Sequence, residues 1–151
     1  AKQKMETTDE FYRYFLHFEE QNDYLENLKK LPTEKIQYVP YDLENKIETI
    51  FESISAFANG SGGTIIFGQD ERFRQYFSES KFNLLSENVC DKILEEIPEM
   101  EDYLILYNRS IRDRKFLEIE VVPTPFPCLY KKEYFSRTLH GNVLHLDQSY
   151  L

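Results

Sequence analysis

Seven cations lie between Ile105 and His140: Arg109, Arg112, Arg114, Lys115, Lys131, Lys132 and Arg137, against the four acids Asp113, Glu118, Glu120 and Glu133. Seven less four leaves +3 there, in a chain whose formal net charge is -9. Guanidinium and ammonium groups gathered in this way are the chemistry of phosphate contact, because they replace the counterions condensed on a nucleic-acid backbone. The densest run, Arg109-Ser110-Ile111-Arg112-Asp113-Arg114-Lys115, would place several cations on one loop. The plainer alternative is a scattered, solvated surface. The whole-chain balance opposes strong autonomous binding, since a protein that holds nucleic acid by its phosphates normally presents a basic face.

Other chemistry-bearing groups are sparser. Asp70 and Glu71 follow a short apolar run, a place where acids are commonly solvated loop residues. Gly60-Ser61-Gly62-Gly63-Thr64 lacks the Gly-Lys-Ser/Thr ending of a phosphate-binding loop and runs from helix to strand, the reverse of that motif. His140 and His145 have neither a cysteine nor a third histidine nearby to complete a zinc site. Cys90 and Cys128 lack Cys-x-x-Cys spacing, which indicates neither a disulfide framework nor a zinc ribbon and suggests a reducing, cytoplasmic compartment.

The elements that must carry these groups centre on residues 53–71. Ile47, Ile50, Phe51, Ile54 and Ala58 make one apolar helical stripe, with Asp42 as its cap and Gly60 expected to close its end in the left-handed conformation. Gly62-Gly63 reverse the chain, and Thr64 to Phe67, apolar without alternation, form a strand buried on both faces. Before this corner, Ile36 to Tyr41 read as a strand in which Pro40 marks an edge or bulge. After it come an irregular stretch over 72–82, a helix from Asn83 to Pro98 with Leu85, Val89, Ile93 and Ile97 one turn apart, and a strand from Tyr103 to Tyr107. In that helix Cys90 reads as buried filling rather than a nucleophile. A turn over 108–114 leads to a strand from Lys115 to Val122, where Glu118 and Glu120 alternate with Leu117, Ile119 and Val121 and define a wet face. Pro123, Pro125 and Pro127 give a stiff extended segment, and Tyr134–Arg137 with Val143–Leu146 form a closing hairpin around His140-Gly141-Asn142. The class is α+β: a mixed, mostly antiparallel sheet with helices on one face.

The pattern Ile54-Ser55-Ala56-Phe57-Ala58-Asn59, two glycines, Ile65-Ile66-Phe67-Gly68 and Asp70-Glu71 resembles the core signature of the Schlafen family, in its AlbA-type domain. Tyr134-Phe135-Ser136-Arg137 is similar to that family's closing aromatic-x-x-Arg element. The resemblance frames 33–151 as a Schlafen-like AlbA-type lobe and leaves 1–32 as an N-terminal helical extension. It implies three carboxylates holding a divalent metal that cuts RNA: two from a Glu-x-x-x-x-Glu strand followed closely by Lys, the third from the acids after the Gly-Gly strand. Such ions need several oxygen ligands at once, to activate water and to stabilise the departing oxygen. Asp70 or Glu71 fits the third position, with Glu71 favoured. The apolar pattern puts Pro32 at the first glutamate, Gln37 at the second and Val39 at the lysine. A two-residue shift gives Glu34 as the first acid but Val39 at the second and Tyr41 at the lysine. The resemblance therefore implies a degenerate site of Glu34, Asp70 and Glu71 with no metal bound by this chain, Mg2+ or Mn2+ belonging to an active partner. Arg137 is either a phosphate contact or the partner of Asp70 or Glu71 in a buried ion pair.

At 151 residues one core is expected. No charged-then-apolar segment opens the sequence and no apolar run nears the ~20 residues of a membrane span, so a soluble chain is expected, although a longer parent could carry a targeting segment. The N-terminal helix, with a Thr7-x-x-Glu10 capping box and Phe11, Tyr14, Phe18, Leu25 and Leu28 on heptad-like spacing, either packs on its own domain or docks a partner through Phe11, Tyr14 and Phe18. Three functions are compatible with these residues. One is a Schlafen-like, catalytically degenerate subunit of an RNA-processing endonuclease assembly, of which small-RNA precursor processing is one setting. It would pair with another Schlafen-like domain as a hetero- or homodimer and meet RNA through the assembly. The second is a metal-dependent endoribonuclease in its own right using Glu34, Asp70 and Glu71, with a further ligand such as Asp42. The third is a protein-interaction module that has kept only the fold.

Overall fold

The computed structural model describes residues 23–40, 47–70, 79–111 and 114–146. The chain divides into two compact units, Ala1–Leu31 and Pro32–Leu151. In the first, residues 23–30 are helical, and Leu25 and Leu28 are buried. Phe11, Tyr14 and Phe18 lie outside the described residues, as do Asp42, Glu71 and Arg112.

The second unit begins with β1 (Ile36–Val39), α1 (Ile47–Ala58) and β2 (Gly63–Phe67). β1 and β2 are parallel, Ile36 facing Thr64 and Val39 facing Phe67, as a helical crossover requires. α2 (Glu79–Glu96) and a 3-10 segment (Pro98–Tyr103) lead into β3 (Leu104–Ile111) and β4 (Arg114–Val121). β4 is antiparallel to both β2 and β3, which completes a mixed four-stranded sheet in the order β1-β2-β4-β3. β5 (Leu129–Tyr130), β6 (Glu133–Thr138) and β7 (Gly141–His145) form a separate antiparallel sheet in chain order. The α+β class and the mixed, mostly antiparallel sheet agree with the sequence pattern. The second sheet was not expected.

Both helices lie on one face of the larger sheet. Gly63, Ile65 and Phe67 share that face with Val121, Ile119 and Leu117 across the ladder. Phe57 of α1 sits over Gly63, and Phe82 of α2 meets Phe67 with ring centroids 6.2 Å apart. Ile65 and Ile66, neighbours pointing to opposite faces, are both fully buried, so β2 is covered on each side. α1 buries more than its apolar stripe, because the small sheet closes over its other side. Phe51 stacks on Tyr130 at 5.3 Å, and the buried Ser53 and Ser55 bond to Asn142 and to the Cys128 carbonyl.

Several boundaries differ from expectation. α2 starts at Glu79, not Asn83, because Phe82 continues the stripe of Val89, Ile93 and Ile97 two turns earlier. β3 runs on to Ile111, which is buried, so Arg109 lies in a strand and not on a turn. Glu118 is also inside: Arg109 Nη2 bonds it at 3.1 Å, while Glu120 stays exposed, so only part of that face is wet. At the glycine corner the left-handed residue is Gly62 (φ 81°), not Gly60, and the Phe57 carbonyl accepts from both the Gly60 and Gly62 N–H groups. The closing hairpin turns at Leu139-His140, with Gly141 at φ 101°. No described helix is long and apolar enough to cross a membrane.

The β5–β6 turn is strained. Lys131 (φ 51°) and Lys132 (φ 66°) are consecutive left-handed residues between the paired Tyr130 and Glu133, as in a type I′ turn that normally selects Asn-Gly. A side chain in that region costs roughly 1–2 kcal/mol. Lys132→Gly is therefore expected to raise stability by about 1 kcal/mol, read as a higher urea midpoint at unchanged slope. An unchanged or lower midpoint would mean that this backbone is relaxed as it stands.

Candidate functional site

The residues of the family-like signature converge on the C-terminal end of α1. Asn59, one residue past the helix, makes a two-way clamp. Its Nδ2 donates to the Cys128 and Phe135 carbonyls, each at 2.9 Å, and its Oδ1 accepts from the Cys128 N–H at 2.7 Å. Ser55 Oγ donates to the same Cys128 carbonyl at 2.7 Å. Thr124 N–H caps the Ala58 carbonyl at 3.0 Å. The proline-rich segment and β6 are thus laced onto carbonyls and side chains that a helix end would otherwise leave to water. Gly63 has a packing reason of its own: a Cβ there would stand inside contact distance of the Phe57 ring. Cys128, in this buried knot, has its thiol pushed up to about 11, first by burial and then by Glu99, which excludes thiolate chemistry near neutral pH.

Arg137 forms a second clamp. Its Nε donates to the Thr33 carbonyl at 2.9 Å and its Nη2 to the Ile36 carbonyl at 2.7 Å. Its Nη1 reaches Gln37 Oε1 and Asn142 Oδ1, both at 2.8 Å, and the guanidinium lies 4.8 Å over the Phe57 ring. These partners are carbonyl and amide oxygens and an aromatic face. Burial lowers the pKa of Arg137, but a guanidinium stays charged throughout the working range. Arg137 therefore ties β6 to the start of β1. The expected ion pair with Asp70 does not form, for a topological reason: Asp70 follows the far end of β2, whereas Arg137 stands at the near end of β1.

The same topology separates the acids. Glu34 precedes β1 and Asp70 follows β2, and these strands run parallel. The three paired steps between them span about 10 Å at roughly 3.3 Å per residue, before the ends are added. Oxygens sharing one ion lie within about 5 Å of each other, given metal–oxygen distances of 2.0–2.6 Å. Glu34 and Asp70 cannot meet on one cation. Among the described residues no group of three His, Cys, Asp or Glu side chains is arranged to hold a metal. The side chain at the position assigned to the second glutamate, Gln37, points to the helix-bearing face with Ile65 and is engaged by Arg137.

Among the described residues the predicted cations do not form one patch. Arg109 is engaged by Glu118 and the Tyr107 ring, and Arg137 is half-buried and engaged by the start of β1. Lys131 bonds Glu48 at 2.8 Å, and that contact holds its pKa up. Arg114 and Lys115 open β4 at the Asp70 end of the sheet, where Gln69 Nε2 donates to the Lys115 carbonyl at 3.1 Å. Lys132 is exposed on the strained turn. Acids crowd that turn too. Glu52 has its pKa raised, first by burial and then by Glu48 and Glu133. A carboxyl whose folded pKa is raised opposes folding once ionised and is harmless when protonated. Glu52→Gln is therefore expected to stabilise the protein at pH 7 by a few tenths of a kcal/mol after solvent screening, with the gain vanishing as pH falls to about 4. Denaturation at the two pH values checks the sign.

Sequence reasoning missed Gln37 as an Arg partner and Lys35, whose Nζ holds the Ser61 carbonyl (2.9 Å) and hydroxyl (2.7 Å) across the glycine corner. It placed Asn59 in a motif without its role. A polar residue just past a helix, followed by glycines, was the available signal.

No protein-family model matches the chain, and no curated protein matches it. Among solved structures, the crystal structure of the DIP2311 protein from Corynebacterium diphtheriae is similar, with a TM-score of 0.51 and 15% identity over 75% of this chain. The match spans 25% of that protein, about a quarter of its length, and at this identity the likeness is one of fold.

Proposed function

We propose that this chain is a Schlafen-like lobe without its own cleavage chemistry, serving an RNA-processing assembly by pairing with a second lobe that holds the metal. One observation carries the reading: Gln37, at the position where the family resemblance asks for a metal-holding glutamate, is neutral, and its side-chain oxygen is taken up by Arg137 at 2.8 Å. A carboxylate site with this member replaced and Glu34 kept away from Asp70 lacks both the ligand number and the negative charge that a hard divalent cation needs. What remains is scaffold: a sheet, two clamps and a modest pair of cations at Arg114 and Lys132, suited to guiding a phosphate backbone already held by a partner.

The test is to incubate a hairpin RNA with Mn2+ or Mg2+, using the isolated chain and the chain recovered with its bound proteins. Cleavage only by the assembly is expected. Turnover by the isolated chain, abolished by Glu71→Ala, would establish it as a nuclease and overturn the reading. Failure to retain RNA at low salt in either form would leave a protein-interaction module instead.

A further inference from the structure

The edge strand β3 carries the features of a self-pairing surface. It ends the order β1-β2-β4-β3, and no described strand lies beyond it. The Val122 N–H donates to the Tyr103 carbonyl at 2.9 Å, which makes Tyr103 and Val122 a hydrogen-bonded pair just before Leu104 and Val121. Bonded and non-bonded pairs alternate along an antiparallel ladder. Ile105, Tyr107, Arg109 and Ile111 therefore bond to β4, while Leu104, Leu106, Asn108 and Ser110 aim their backbone groups away from it. Ile105 and Leu106, on opposite faces, remain 44% and 39% exposed. The strand has neither proline nor bulge, and its one charge, Arg109, is met internally by Glu118, so among the described residues the usual devices that blunt an edge are missing.

The strand is also polar end to end in charge. Glu99, Glu101 and Asp102 lie on the 3-10 segment before it, and Arg114 and Lys115 follow its turn. With Leu106 facing its mate, an antiparallel partner of identical sequence sets Glu101 of one copy beside Ile111 of the other, with Arg114 one strand further in on β4, about 10 Å away at roughly 4.8 Å per strand, twice about a two-fold axis. Outward groups on the even-numbered residues allow Leu106 to face its own symmetry mate, and this sets Ile105 against Tyr107 of the second copy.

We infer that this face binds a second copy of this chain by antiparallel β3 pairing, so that two four-stranded sheets become one. The inference goes beyond the proposed function: a second copy of this chain is not the metal-holding lobe proposed above, so this dimer is a separate association. One strand edge with its charged ends is smaller than a standard interface of roughly 800 Å² per partner, so the association belongs in the micromolar range and weakens with salt.

Sedimentation or light scattering of the purified chain from about 1 to 100 µM at low salt is expected to show a dimer, with slowed amide exchange at Leu104, Leu106 and Asn108 as concentration rises. Leu106→Lys, which sets like charges opposite each other, should give a folded monomer. Arg114→Glu should weaken the dimer about tenfold, and mixing it with Glu101→Lys should restore a mixed dimer; this pair decides the matter if Leu106→Lys fails to fold. A monomer at about 100 µM in low salt, or a dimer in which those three amides exchange as fast as in the monomer, would overturn the inference. RNA retention measured on the same samples separates the two proposals, since a monomer whose assembly still holds RNA removes only the dimer.

Discussion

Replacing Arg137 by Met is expected to lower the unfolding free energy by about 3 kcal/mol, the range for removing one charged member of a part-buried hydrogen-bonded set. Methionine keeps much of the aliphatic bulk beside Phe57, so packing alone does not account for such a loss. What disappears is the set of donors that satisfies the Thr33 and Ile36 carbonyls, Gln37 Oε1 and Asn142 Oδ1 together. The deletion leaves the part-buried Ile36, Gln37 and Asn142 oxygens short at once, and these bear the desolvation cost, whereas the exposed Thr33 carbonyl returns to water. Gln37→Glu gives the opposite sign. It places a carboxylate where the guanidinium now finds an amide oxygen and should stabilise by about 1 kcal/mol at pH 7. The new carboxyl would titrate below its ordinary value of about 4.3, so the gain exists above that pH and is lost as pH falls through the folded value. Urea unfolding of both variants at pH 7 and about pH 4 tests the pair. A neutral Arg137→Met, or a destabilising Gln37→Glu in a correctly folded protein, would show that the guanidinium is an accessory at the rim of β1 and not its clamp. If Gln37→Glu also conferred Mn2+ binding on the isolated chain, the position would have kept more of a metal site than its present contacts imply.

The central corner was legible because three independent signals coincide there. The 3.6-residue stripe from Ile47 to Ala58, the adjacent glycines and the unalternating Thr64–Phe67 run each restrict the backbone, and they agree. The α+β class followed from that agreement. The site was harder, for reasons visible in particular residues. Arg109 reads as a turn cation because Asn108 and Ser110 flank it, yet Ile111 is a core residue and draws the strand four positions further. Glu118 reads as solvated by alternation, but its partner lies nine residues away across a ladder whose register no local pattern reports. Glu34 and Asp70 could be aligned to one motif in one dimension; only the parallel pairing of β1 and β2 puts them at opposite ends. β5 has two residues and exists because Asn59 holds Cys128 in place beside it.

That dependence makes Asn59 the residue with the largest expected effect. Asn59→Ala removes bonds to Cys128 N–H, Cys128 C=O and Phe135 C=O, and should cost about 3–4 kcal/mol. Asn59→Asp is the more discriminating change. Aspartate is nearly isosteric and can still accept from the Cys128 N–H, but where the amide donated to two carbonyls it would set an anionic oxygen against them. If the amide's role is donation, Asp is at least as damaging as Ala at pH 7 and partly recovers at acid pH, where its protonated carboxyl regains a donor. If the role is only to cap Cys128 N–H, Asp is nearly neutral. The two accounts also differ in where the structure loosens. Asn59 bonds both the approach to β5 and the backbone of β6, whereas β1, β2 and β4 are held by their own ladder and by Phe57. Amide exchange in Asn59→Asp should therefore accelerate across residues 128–138 before it does so across 63–67 and 114–121. Uniform acceleration through both sheets would mean that the clamp is spread over the whole α1 interface, with Ser53, Ser55 and the Phe51–Tyr130 stack holding the small sheet as firmly as Asn59 does.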